Sequence, residues 1–223
     1  AKAAVAAGAD AVENDIYITT DDHLVIMHDD TVTRTINGTG NVEDMSLEQV
    51  KALATKTKGY KVPTMREYFK AFKEQPITHV IELKSSNPRI IAQLKKEMAE
   101  EGVADQSVAI SFIADQLKRS GEQMPELTGG FLNSIADSTD VPASVRNVLE
   151  ATQANSSTFN PSYTAIRQST MEAAKHRGVT FWPWTVNDPA TFYKYYSWGT
   201  NGITTDDAYL ASNFPVEIAA KPQ

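Results

Sequence analysis

Along its length the chain alternates short runs with apolar residues at every second position and longer segments in which they recur at every third or fourth. The first spacing belongs to strands, whose side chains point to opposite faces in turn, and the second to helices that bury one stripe. Strands are predicted at residues 11–18, 78–84, 107–112, 127–132, 157–160, 179–185 and 202–205. Helices separate them. Pro88 opens one that Gly102 closes, with Ile90, Ile91, Leu94 and Met98 as its apolar stripe, and Asp188 followed by Pro189 opens another that Gly199 closes. This alternation predicts an α/β fold built on a parallel sheet. The polar, glycine-containing stretch 31–61 fits neither spacing, and it is read as an insertion over one end of the sheet within a single domain spanning 1–223.

Two strands break the apolar pattern in the same way. In AVENDIYI, Glu13 and Asp15 share a face about 7 Å apart along the strand, while Val12, Ile16 and Ile18 lie on the other. In THVIELK, Val80, Glu82 and Lys84 share a face. A solvated face at a sheet edge accounts for either strand taken alone. Together they bring three carboxylates and a lysine toward one place. Ionised carboxylates crowded at low dielectric raise one another's pKa unless a cation neutralises them. Hard oxygen donors suit Ca²⁺ or Mg²⁺ and do not suit structural zinc, so Glu13, Asp15 and Glu82 are candidate ligands for one divalent ion. Lys84 is placed to hold an anion that also touches the metal; the simpler alternative is an ion pair with Glu82 or Asp15. His28 ends the apolar run LVIM, which hairpins back from the acid-bearing strand, and there it is placed to act as an acid or base. His23, His79 and His176 are read as surface or capping residues.

Composition narrows the classes. With 223 residues and 41% hydrophobic content the chain can bury a full core. A net charge of -7 argues against a binder of the nucleic-acid backbone, which needs clustered Lys and Arg. The absence of cysteine excludes a disulfide framework, a thiolate zinc site and a thiol nucleophile, and leaves the compartment open. No apolar run reaches membrane-spanning length. Oligomeric state is not legible.

The run ENDIYITTDDHLVIMHDDTVTRTINGTG, with its E-x-D, V-x-x-H-D and R-T-x-x-G-x-G patterns, resembles the glycerophosphodiester phosphodiesterases. The resemblance continues through VPTMREYF, IELK, FWPWTVND and NGITTDDA. It implies a TIM barrel with its site at the C-terminal ends of the strands. It further implies a Ca²⁺ or Mg²⁺ ion on Glu13, Asp15 and Glu82, phosphodiester binding by Lys84, and a small-molecule substrate hydrolysed to glycerol 3-phosphate and an alcohol. Trp184, which composition alone would place in the core, becomes a substrate contact bordering the glycerol pocket. The family's H-R-G on its first strand has no counterpart upstream of Glu13. His176, Arg177 and Gly178 spell the triplet but precede a predicted strand, which puts them at the opposite pole. The expectation is therefore a barrel lacking its first strand in these 223 residues and, in that form, having little diesterase activity. Two rival classes remain: a catalytically dead binding module of the same family, and a related phospholipase D-type enzyme acting on lysolipid or sphingolipid head groups.

Overall fold

The computed structural model describes residues 1–133, 141–152 and 157–210. A short helix α1 (Lys2–Ala6) leads into β1 (Ala11–Ile18), which hairpins into β2 (Leu24–Ile26). Helices α2 (Leu47–Ala52) and α3 (Met65–Phe72) then precede β3 (Thr78–Leu83). From there strand and helix alternate: α4 (Arg89–Glu101), β4 (Ser107–Ser111), α5 (Ala114–Gln123), β5 (Thr128–Asn133), α6 (Val141–Ala151), β6 (Ser157–Pro161), α7 (Gln168–Lys175), β7 (Thr180–Phe181) and α8 (Pro189–Ser197). Among the described residues the strands form one sheet in the order β2-β1-β3-β4-β5-β6-β7, antiparallel at β2 and parallel elsewhere. Each parallel step crosses through a helix, the construction of a TIM-type (β/α) barrel.

Local chemistry places the boundaries. Thr64 accepts from the Glu67 amide while the Glu67 carboxylate accepts from Thr64, a reciprocal cap that starts α3. Asp188 caps α8 through the Thr191 amide, and α4 stops at Gly102, whose φ of 70° is the left-handed conformation glycine adopts without strain. Both helices thus form within the punctuation visible in the sequence.

Three expectations need correction. The strand predicted at 179–185 is paired only at Thr180–Phe181, with Trp184 making a separate bridge to Ser162. Trp182 and Trp184 still donate to the Phe159 and Pro161 carbonyls of β6, and the pairing is interrupted from the β6 side, where Pro161 has no N–H to donate in return. The strand predicted at 202–205 does not form, because the segment joins no ladder. It exchanges only single bonds with its neighbour, Thr204 donating to the Pro183 carbonyl and accepting from the Val186 amide. His79, read as a surface residue, is fully buried. It lies between β3 and α3, its Nδ1 3.1 Å from the Tyr68 hydroxyl and its ring edge-on to Tyr68 and Phe69. Burial pushes its pKa down, toward the neutral imidazole.

Inside the barrel, Val80, Ile110 and Leu132 pack with Trp182 and Trp184. Gly130 leaves room for this layer, since a Cβ there would meet Ile110 Cγ2 at 2.6 Å and Asn160 Oδ1 at 2.7 Å. The insertion is less polar inside than its sequence suggests. Val32, Ile36, Val42 and Val50 bury themselves against Tyr17, Val25 and Met27 on the β1–β2 hairpin, which ties the segment to the edge of the barrel mouth.

Candidate active site

The parallel register of β1 and β3 sets Asp15 directly beside Glu82 and Glu13 beside Val80. Adjacent strands run about 4.8 Å apart, so acids on a shared inward face must meet. One oxygen from each of Glu13, Asp15 and Glu82 lies within 4.8 Å of the others. Lys84 Nζ sits 2.9 Å from Glu82 Oε1 and 3.2 Å from Asp15 Oδ1. Both readings of Lys84 therefore start from one geometry: it pairs with the acids, and it also lines the adjoining cavity.

The electrostatics are those of an under-neutralised site. Burial, then the charges of Asp15 and Glu82, push the Glu13 carboxyl up to about 8. Burial also raises Glu82, against the opposing pull of Lys84. Burial works against charge on Lys84, but hydrogen bonding and attraction from Glu82 and Asp15 outweigh it and hold the ammonium above its usual range. A hard divalent ion fits the chemistry of this donor set, three carboxylates each offering an oxygen within 4.8 Å of the others.

These shifts predict a pH dependence. An unfolded glutamate ionises near 4.3, whereas folded Glu13 ionises near 8, so its contribution to stability is present below about pH 4 and lost as pH rises toward 8. Glu82 acts in the same direction. In chelator, the melting temperature should fall between pH 6.5 and 8.5, and Ca²⁺ or Mg²⁺ should restore more of it at the upper end. Thermal melts of the wild type and Glu13→Gln check this. A fall that is equally steep in both proteins would assign it to other groups.

Beside the acids lies a cavity of about 740 Å³ lined by Tyr17, His28, Asp29, Arg34, Glu43 and Lys84, among others. The structure thus brings His28 and Lys84 to one space. Trp184 is half-buried; its indole N–H donates to the Asn160 carbonyl at 2.7 Å, and its ring meets Phe112 edge-on at 5.5 Å. Lys84 Nζ stands 5.9 Å from the Phe112 ring centre, which links the aromatic pair to the acids. His176, Arg177 and Gly178 end α7 ahead of β7, at the opposite pole, where Arg177 bonds the Ala173 carbonyl.

Sequence reading missed three participants. Phe112 was seen only as the end of a strand, although it is 42% exposed beside Trp184. Asp206 adds its charge to the field on Glu13 and is held by Asn187 Nδ2 at 2.8 Å. Arg34 forms a two-pronged contact with Asp29. The WTVND and TTDD runs and the arginine of R-T-x-x-G were visible signals, but nothing in them states which groups meet.

Fold and site define a class, a TIM-type (β/α) barrel with three carboxylates and a lysine gathered where strands β1 and β3 end, beside an open cavity. Residues 1–210 match the model of the glycerophosphoryl diester phosphodiesterase family. A glycerophosphodiester phosphodiesterase from Caldanaerobacter subterraneus is 32% identical over 215 residues, covering 92% of this chain and 86% of that protein. One from Bacillus subtilis is 28% identical, covering 89% of this chain and 74% of that protein. The solved structure of an Oleispira antarctica phosphodiesterase in complex with the product sn-glycerol-3-phosphate superposes with a TM-score of 0.83 at 21% identity. It covers 96% of this chain and 87% of its own. An Agrobacterium tumefaciens glycerophosphodiester phosphodiesterase gives 0.80 at 22% identity, with coverage of 96% and 90%. The chain belongs to the glycerophosphodiester phosphodiesterase family. No helix among the described residues is long and apolar enough to cross a membrane.

Proposed function

We propose that the protein hydrolyses glycerophosphodiesters to glycerol 3-phosphate and an alcohol, with one Ca²⁺ or Mg²⁺ ion held by Glu13, Asp15 and Glu82. The convergence of these three carboxylates beside Lys84, on a cavity shared with His28, carries the reading. When bound, the ion supplies Lewis-acid stabilisation of charge on the phosphoryl oxygens. Lys84 holds a non-bridging phosphoryl oxygen with its remaining N–H donors and orients the diester. His28 moves a proton at the edge of the cavity, to the leaving alkoxide or from the attacking hydroxyl. Trp184 has its N–H occupied, so it offers a ring face; with Phe112 it forms an apolar wall against the carbon skeleton of the glycerol.

A lysolipid substrate is the second reading, favoured by the exposed ring of Phe112 beside the site. The polar lining from Asp30, Thr31 and Asn41 favours the soluble diester. Turnover of glycerophosphocholine and lysophosphatidylcholine by the full-length protein, with and without chelator, tests both. Glycerophosphocholine cleavage abolished by chelator is expected. Preference for the lysolipid would move the assignment to the second reading, and activity unaffected by chelator would remove the metal from it.

A further inference from the structure

The insertion does more than cover the barrel mouth. His28 Nδ1 lies 2.8 Å from Asp29 Oδ1, and Arg34 grips the same carboxylate with both prongs, Nε to Oδ2 at 2.5 Å and Nη2 to Oδ1 at 2.8 Å. We propose that Asp29 and Arg34 are positioning residues for His28, holding its imidazole in the tautomer protonated at Nδ1 so that Nε2 is the nitrogen offered to the diester. This rests on the reading of His28 as the proton-transferring group.

The chemistry follows from the donors and acceptors present. Hydrogen bonds from Arg34 and His28 hold the Asp29 carboxyl well below the usual carboxylate range, so it is ionised and can only accept. The proton shared between Asp29 and His28 therefore sits on Nδ1. Nε2 is left with its lone pair, free to take a proton or, once protonated, to give one. Arg34 cannot be read as a stability device, because it is largely exposed and exposed ion pairs contribute little to folding. What it fixes is direction: a planar guanidinium meeting two carboxylate oxygens sets the plane of Asp29 as well as its position.

Arg34 is itself held. It lies between Val32 and Ile36, both buried in the insertion's apolar cluster, and the Ile36 amide donates to the Val32 carbonyl. Lys56 clamps the same turn from across the insertion, its amide on the Thr35 carbonyl at 2.9 Å and its Nζ on the Thr33 carbonyl at 2.5 Å. Val42 donates to the Asp30 carbonyl and Val32 to the Gly40 carbonyl, so the chain between Asp29 and Arg34 is bonded to the insertion. The insertion thus carries an arginine to a histidine on the barrel mouth.

Nitrogen-15 NMR of the His28 ring, followed as pH is raised until its shifts no longer change, reads the tautomer directly. Wild type should show the proton on Nδ1. Asp29→Asn can turn its amide N–H toward Nδ1 and should move the proton to Nε2. Arg34→Ala should leave a mixture, and Arg34→Lys should restore only part of the wild-type state. In the full-length protein, kcat should fall about 10²-fold for Asp29→Asn, within the range of a disabled general acid or base, with KM little changed. It should fall less for Arg34→Ala, with partial rescue by Arg34→Lys. Adding Asp29→Asn to His28→Ala should cost nothing further, since both act through one ring. An unchanged tautomer in Asp29→Asn, or additive losses in the double variant, would overturn the positioning role. A His28→Ala variant with full activity would instead overturn the underlying reading of His28, whatever the tautomer shows.

Discussion

Replacing His28 by alanine in the full-length protein is expected to lower turnover of glycerophosphocholine by about 10²- to 10⁴-fold, the loss that follows removal of a general acid or base. Folding should be unaffected. The His28 side chain is 68% exposed, and among the described residues it bonds to Asp29, which keeps both prongs of Arg34 when the imidazole is removed. Divalent-ion affinity should also survive, since no carboxylate of the site is altered. Steady-state kinetics with a calorimetric metal titration separate these effects. Turnover within a few fold of wild type would return His28 to a surface residue, and a parallel loss of metal binding would show that it shapes the carboxylate site instead.

The second large effect belongs to Glu82. Changing it to glutamine keeps the volume and one oxygen but removes one of three charges, and affinity of hard-ion sites follows ligand charge. Affinity for Ca²⁺ or Mg²⁺ should fall about 10²-fold or more, and activity at limiting metal should fall with it. The metal-free fold should lose nothing and gain slightly, because Glu82 is a buried acid whose ionisation burial and Asp15 both oppose. Lys84 keeps Asp15 as a partner at 3.2 Å. Calorimetric titration and thermal melts in chelator distinguish the two effects. Wild-type affinity in Glu82→Gln would remove Glu82 from the ligand set, and a collapse of the melting temperature would make its role structural.

The period-two alternation in AVENDIYI and THVIELK was enough to put Glu13 with Asp15, and Glu82 with Lys84, on a shared face of each strand, because side-chain alternation in a strand is a local property of the backbone. Capping chemistry was equally local, which is why the helices after Pro88 and Asp188 ended at Gly102 and Gly199. The position of His28 at the end of an apolar hairpin strand was also visible. Which strands are neighbours, and in what register, is a matter of long-range pairing. Only the fold places Asp15 opposite Glu82 and brings Glu13 within 4.8 Å of both. His79 shows the same limit in reverse: it sits at the N-terminal end of a strand, where a surface role suffices for an isolated histidine, yet α3 closes over it with Tyr68 and Phe69. The run 202–205 has a strand's composition but no complete ladder, since Pro183 opposite it lacks an amide to donate. Trp184 illustrates the division within one side chain. Its motif was legible, but the direction of its N–H depended on a carbonyl from β6 that lies 24 residues away in sequence. Residue type and spacing settle what a segment can do and which way its side chains face, and even the Asp29 contacts to His28 and Arg34 join residues one and five apart in sequence. What only the tertiary structure decides is that this trio shares a cavity with Lys84, about fifty residues away, because closing so long a loop rests on long-range packing that no local interaction encodes.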